Sequence, residues 1–395
     1  MIRNISFYSI ILFQFIYSIF FIKSDFYYIF NPYTLSILAI VFFYFSMQSD
    51  PIFKRFLPYF LFIVLIILLL ILKSFIGEYN LNILQSLKKF QFVYGFLLLI
   101  PGIIIFRNIL GIELMQNKNT YLRIIKYLLV FASVITSYEY LCVIFLNMSA
   151  SEIFYLNDSF IEFNSKNSSG PLGYRPYGLL FYPQPNGIFT SFLLIIYLIN
   201  SKKIDVYFTI GLIGLFISQS YSGILFFIIG FIFLGNFRFK LPLFILLFFF
   251  IFYLIILFSD NAYFYKLSPT YFKVLLFREG QLLRQINDLM NYNVFSLIFG
   301  MYDKGYSISH EWFYLSILRE YGLIGLTILL FVLSKITYYA LPLEMNNLKK
   351  IFFVMLFLLV NFHYPAACFI TFQLLIIILC SINSSIKKNS LLYNR

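Results

Sequence analysis

Long apolar segments recur along the chain, and their length predicts helices that cross a membrane. A bilayer core of about 30 Å requires about 20 mostly apolar residues per helix. Segments such as 57–72 and 241–258 contain no charged residue. The pattern therefore predicts an all-α, polytopic integral membrane protein with about twelve transmembrane helices. The predicted spans, all in a single membrane domain (1–395), are 5–22, 29–47, 57–76, 90–106, 124–146, 178–199, 205–218, 221–235, 241–258, 312–333, 350–363 and 366–383.

The seventh and eighth predicted spans, 205–218 and 221–235, are short for a bilayer. Only Gln219 and Ser220 separate them. They are therefore interpreted either as two full spans or as a tight, re-entrant helical pair. Both interpretations return the chain to the same side of the membrane.

Composition supports the membrane interpretation and excludes a soluble domain. Hydrophobic residues make up 61% of the chain and charged residues only 11%, against about a quarter charged in an ordinary soluble domain. Positive residues in short loops stay in the cytoplasm, which predicts cytoplasmic N- and C-termini. The net charge of +13 then falls on the cytoplasmic side. These basic residues are scattered through short loops, so they do not indicate nucleic-acid binding.

Two predicted external segments are long enough to have a function. The smaller is 147–177, and the larger is 259–311, between the ninth and tenth spans. Loops beyond about 12 to 15 residues are usually functional or disordered. Within the larger loop, apolar residues at helical spacing from Phe272 to Leu289 predict an amphipathic helix at the outer membrane surface.

Ionisable residues near the membrane are costly, so each is a candidate for function. On the predicted outer side they are Arg175, Arg278, Arg284, His310, Glu311, Arg319 and Glu320. Outer arginines suit a phosphate-bearing ligand, because the guanidinium donates two parallel hydrogen bonds and keeps its charge. For Arg284 a solvated helix face is an alternative, and for Arg319 and Glu320 the alternative is a structural ion pair.

His310 stands just before the tenth predicted span, where a neutral imidazole could act as a general base. The alternative is a residue that binds loop backbone at the helix start. Only one other histidine, His363, is present. A site with several histidine ligands therefore cannot be built, and we expect no metal and no cofactor.

Three stretches resemble the Wzy-type O-antigen polymerase and O-antigen ligase family of bacterial membrane glycosyltransferases. The first is RPYGLLFYPQPNG, from Arg175 to Gly187. The second is Arg278 followed by FGMYDKG at 299–305. The third and most specific is HEWFYLSILREYGLIG at 310–325, which is similar to the family's histidine, Tyr-Leu and Glu-x-Gly-Leu-Ile-Gly pattern.

This resemblance implies an enzyme that transfers an oligosaccharide from undecaprenyl diphosphate to a sugar hydroxyl, without metal, on the outer face of the bacterial inner membrane. It implies a repeat-unit polymerase for O-antigen or capsule. His310 would be the general base and Arg278 would act with it in catalysis. The expected substrate-binding residues are Arg175, Arg284, Glu311, Glu320 and Tyr314. A chain-length regulator and a flippase are candidate partners.

Two departures from the family pattern bear on the acceptor chemistry. Glu311 replaces the usual asparagine, and the segment after Arg278 lacks the usual tryptophan. The same residues would also suit a ligase that moves finished polymer onto lipid A core. A lipid-linked oligosaccharide flippase and a non-catalytic scaffold are alternatives of other classes. A flippase would need ionisable residues lining a cavity near the bilayer midplane, whereas here they gather on the outer side.

His310→Ala should abolish polymer while the protein still accumulates in the membrane, because the acceptor hydroxyl would lose its general base. Gel electrophoresis of surface polysaccharide, with immunoblotting of membranes, checks both points. Normal chain lengths in this variant would remove His310 from the mechanism.

Overall fold

Helices account for nearly all of the structure, which is a computed structural model. It describes residues 118–149, 152–153, 169–170, 173–180, 182–201, 203–234, 286–287, 289–290, 293–300, 313–362, 366–368, 372, 375–376 and 378–383. The longer helices are α1 (Lys118–Leu146), α2 (Pro183–Ser201), α3 (Val206–Ile217), α4 (Tyr221–Leu234), α5 (Val294–Phe299), α6 (Phe313–Ala340) and α7 (Asn347–Val360). Strands β1 (Ser169–Gly170) and β2 (Gly173–Tyr174) form a two-residue antiparallel ladder.

Two described helices are long and apolar enough to cross a membrane. They are Tyr121–Leu146 in α1 and Tyr321–Ala340 in α6. The all-helical prediction thus holds for the described part of the chain, apart from the short ladder. The count of twelve spans stays a prediction, because 5–22, 29–47, 57–76, 90–106 and 241–258 lie outside the described residues.

Helix α2 begins later than the sixth predicted span, which started at residue 178. Gly178 has a φ of 60°, and Gly178–Leu180 forms one 3-10 turn. The α-helix then starts at Pro183, a position that favours proline because the first helical N–H has no partner within the helix. The prediction placed this turn inside the span because its residues are apolar.

Helices α3 and α4 form a short antiparallel pair against α1 and α2. Gly214 of α3 packs on Ser133 of α1, and Gly223 of α4 packs so closely on α2 that a Cβ there would overlap the backbone of Gly187. Such close approaches between helices depend on small residues. The two helices are about 18 and 21 Å long, and they meet at a buried turn, Ser218–Ser220.

This turn does not extend as far as the C-terminal end of α1, which runs alongside α3. About 20 Å of α1 extends beyond Ser133 toward Leu146. Gln219 at the turn is only about 7 Å beyond Gly214 along the axis of α3. The tip of the α3–α4 pair therefore ends roughly 12 Å short of the end of α1.

Helix α6 differs from the tenth predicted span, 312–333, in two ways. It continues to Ala340, and it is broken at Gly322, where φ is 67° and ψ is −173°. The break accommodates α5, because a Cβ at Gly322 would overlap the carbonyl of Ile298. At its far end, Ala340 accepts a hydrogen bond of 2.6 Å from the hydroxyl of Tyr121 near the start of α1.

Six buried phenylalanines form the centre of the described core. They come from α2, α4, α7 and residue 372, and we call them the phenylalanine cluster: Phe189, Phe192, Phe226, Phe353, Phe357 and Phe372. Ring centroids lie between 5.0 and 6.2 Å apart, mostly edge to face, a geometry that favours aromatic packing beyond area alone.

Phe192→Ala should lower the stability of the protein by about 2 kcal/mol, because it opens a cavity among rings that cannot collapse freely. Lipid would offset part of the cost that such a change has in water. The measurement is the thermal unfolding midpoint in detergent. Phe145→Ala is the control, since Phe145 is 71% exposed, and an equal loss in both variants would contradict the packing assigned to the cluster.

Candidate functional site

Glu139 is a carboxylate inside the apolar helix α1, and its side chain is fully buried. It accepts three hydrogen bonds: from the hydroxyl of Tyr174 at 2.5 Å, and from the backbone N–H groups of Tyr177 and Gly178 at 2.8 Å each. A buried carboxylate without such donors would be strongly unfavourable. The segment Tyr174–Gly178 is therefore bound to α1 by one side chain.

The segment turns sharply after its contact with Glu139, at Gly178. A Cβ at Gly178 would overlap the side-chain amide of Asn186 on α2. This amide accepts a hydrogen bond from the N–H of Leu179 at 3.2 Å and donates to the hydroxyl of Thr136 at 3.0 Å. Asn186 thus connects the turn, α1 and α2.

Arg175 lies in the middle of this segment and is buried, with 6% of its surface exposed. With the amide of Gln184 oriented so that Oε1 faces the arginine, this oxygen accepts from Nη1 at 3.1 Å and from Nη2 at 3.3 Å. The Nε atom is buried and has no hydrogen-bond partner within the described residues. Gln184 thus occupies the end of the guanidinium and leaves the Nε–H for another acceptor.

The turn between α3 and α4 contacts the site through two hydrogen bonds. Gln219 donates from Nε2 to the carbonyl of Tyr174. Ser220 donates from its hydroxyl to the carbonyl of Gln184 at 3.0 Å. The turn therefore holds Tyr174, which precedes Arg175 in the sequence, and Gln184, which contacts its guanidinium.

Burial raises the pKa of the Tyr174 hydroxyl well above its ordinary value, and the nearby charge of Glu139 raises it further. This hydroxyl therefore stays protonated and donates to the carboxylate. Within the described ranges, no three His, Cys, Asp or Glu side chains come together. The guanidinium edge and the positive end of the α2 dipole would suit an anion.

Of the candidate residues from the sequence, Arg175, Tyr314 and Arg319 have described side chains, and Arg319 is buried on α6. Tyr314 is buried on α6, where its hydroxyl donates to the carbonyl of Leu358 at 2.8 Å and its ring lies 5.7 Å from that of Phe362. Glu320 lies on the same helix, but its side chain is outside the described part of the structure. Arg278, Arg284, His310 and Glu311 also lie outside the described residues.

The sequence interpretation missed Glu139 and Gln184. Glu139 did carry a signal, since it is an acidic residue well inside a segment otherwise suited to span a membrane, and such residues are usually functional. Gln184 carried none, because an uncharged amide between two prolines is not unusual at a helix start.

No protein family, curated protein or solved structure matches this chain.

Gly178→Ala should destabilise the site by about 1 to 3 kcal/mol, since alanine is strained at positive φ and its Cβ would displace Asn186. The thermal midpoint of the purified protein measures the loss. The double variant Gly178→Ala, Asn186→Ala separates the two causes. The double variant should lose less stability than the two single variants together. Strictly additive losses would contradict the overlap between a Cβ at residue 178 and the side chain of Asn186.

Proposed function

We propose that the chain is a metal-independent membrane glycosyltransferase that polymerises undecaprenyl-diphosphate-linked repeat units into a surface polysaccharide. The reaction would take place on the outer face of the bacterial inner membrane. Support comes from the three sequence stretches that resemble the O-antigen polymerase and ligase family, and from the geometry around Arg175, which lies at the start of the first of them.

The observation that carries this proposal is the buried Nε–H of Arg175, which has no hydrogen-bond partner within the described residues. Nε–H and Nη–H together match two oxygens of a phosphate group. Leaving undecaprenyl diphosphate carries developing negative charge, which a fixed arginine in a site shielded from water would stabilise strongly. Gln184 already restrains the guanidinium, so little reorganisation would be needed on binding.

The remaining residues take roles in the same hypothesis. His310 would remove the proton from the acceptor hydroxyl as the anomeric carbon is attacked. Arg278 would neutralise the leaving diphosphate with Arg175. Arg284, Glu311, Glu320 and Tyr314 would contact substrate or orient these groups.

The proposed topology has cytoplasmic termini and treats α3 and α4 as a re-entrant pair. Since these are the seventh and eighth of the twelve predicted apolar segments, about ten segments would cross the membrane completely. Their lengths of about 18 and 21 Å are short of the 30 Å bilayer core. The tip of the pair would then reach the polar site from the cytoplasmic side without crossing the membrane. A buried polar turn at this depth is tolerated because protein surrounds it.

The phenylalanine cluster favours an enzyme over a flippase. Phe189 and Phe192 follow Asn186 on α2 by about one and two turns. The cluster therefore adjoins the site, on its C-terminal side along α2. A transporter that alternates access would need a path through this layer, and these rings are closely packed. The ligase alternative remains, because it would use the same arginine and histidine.

Arg175→Lys should reduce polymer at least tenfold, because lysine is a point charge without the two-donor edge. The measurement is a gel of surface polysaccharide from a deletion strain that expresses the variant. The expected pattern is a single repeat on lipid A core in place of a ladder. Arg123→Lys, at an exposed position on α1, is the matched control and should keep the ladder.

A full ladder from Arg175→Lys would contradict the role of Arg175. Core without any repeat in the deletion strain would instead favour the ligase or the flippase, since the polymerase is not needed to attach one unit.

A further inference from the structure

We propose that Glu139 is the positioning residue for Arg175, and that its carboxylate determines how tightly the site binds a diphosphate. The inference rests on the proposed function, in which Arg175 binds the diphosphate of the lipid-linked substrate. Glu139 would not touch the substrate. It would act by holding the side chain of Tyr174 before the arginine and the backbone of Tyr177 and Gly178 after it.

The three hydrogen bonds of Glu139 enclose Arg175 in the sequence. One comes from Tyr174, the residue before it, and two come from Tyr177 and Gly178, shortly after it. Gln219 holds the carbonyl of Tyr174 and Gln184 holds the guanidinium. Together with the bonds to Glu139, they leave Arg175 little freedom. A group ordered before binding does not lose this conformational entropy when the ligand arrives.

Only a carboxylate provides this set of acceptors at residue 139. Its Oε1 accepts from Tyr174 and from the N–H of Tyr177, while Oε2 accepts from the N–H of Gly178. A glutamine of the same size has one acceptor oxygen. Its amide nitrogen would then face donors in place of acceptors. These would be either the N–H of Gly178, or the hydroxyl of Tyr174 and the N–H of Tyr177.

The site would therefore be organised before substrate arrives, and the incoming diphosphate would meet an arginine that is already held in place.

A purely structural role for Glu139 is the alternative, and the experiment must distinguish the two. The full-length protein is purified in nanodiscs, and its affinity for farnesyl diphosphate and for farnesyl monophosphate is measured. These probes carry the same isoprenoid chain and differ in the phosphate group. The variants are Glu139→Gln, Arg175→Lys and their combination.

We expect Glu139→Gln to weaken farnesyl diphosphate binding about tenfold, with a smaller effect on the monophosphate. The double variant should bind no more weakly than Arg175→Lys alone, because both changes disable the same arginine. Two independent losses, or an equal loss for both probes, would indicate a general loosening of the fold and would overturn the inference.

Tyrosine variants keep the test usable if Glu139→Gln does not fold. Tyr174→Phe removes one of the three donors and should weaken diphosphate binding about threefold. Tyr197→Phe is the matched control, since its hydroxyl also donates to a carboxylate, that of Asp205 at 2.6 Å, but at the other end of α2. Equal effects in the two tyrosine variants would contradict the positioning role.

The failure of the inference differs from the failure of the proposed function. If Arg175→Lys weakens diphosphate binding and the Glu139 and Tyr174 variants do not, the positioning role is wrong and the diphosphate site stands. If the wild-type protein binds farnesyl diphosphate no better than Arg175→Lys does, the diphosphate site itself is wrong, and the inference falls with it.

Discussion

A carboxylate inside an apolar helix must find hydrogen-bond donors, and the site follows from how this chain provides them for Glu139. Its donors come from the segment that precedes α2, so satisfying the carboxylate brings Arg175 against α1. Gln184 and Gln219 then restrain the arginine and its backbone. Beneath them the phenylalanine cluster fills the space between helices. The buried polar site around Arg175 thus depends on one carboxylate in the apolar helix α1.

The helices were the part of the fold that composition could predict, because a long apolar segment has few other ways to satisfy its backbone. Their ends were less predictable. The turn before α2 is as apolar as the helix itself, so only the backbone at Gly178 marks the boundary. The break at Gly322 makes room for the backbone of α5, a separate helix that packs against α6 at this point. A local pattern contains no information about such a neighbour.

The candidate site was predicted in part. Arg175 was recognised because arginine before a helix is chemically distinctive, and the structure places it in a buried polar site. Its relation to Glu139 could not be read from the sequence, since the donors are 35 to 39 residues away and two of them are backbone N–H groups that any residue possesses. The assignments of Arg278, Arg284, His310 and Glu311 stay predictions. Those of Glu320 and Tyr314 do too, although the hydroxyl of Tyr314 binds α7.

Reconstitution tests most directly whether this site transfers sugars from a lipid diphosphate. The purified protein would be incubated in liposomes with undecaprenyl-diphosphate-linked repeat units, and the lipid-linked products analysed by mass spectrometry. The predicted result is a series of products that differ by one repeat unit, with one undecaprenyl diphosphate released for each unit added. Substrate that crosses to the other leaflet with its mass unchanged, and no longer product, would contradict the account.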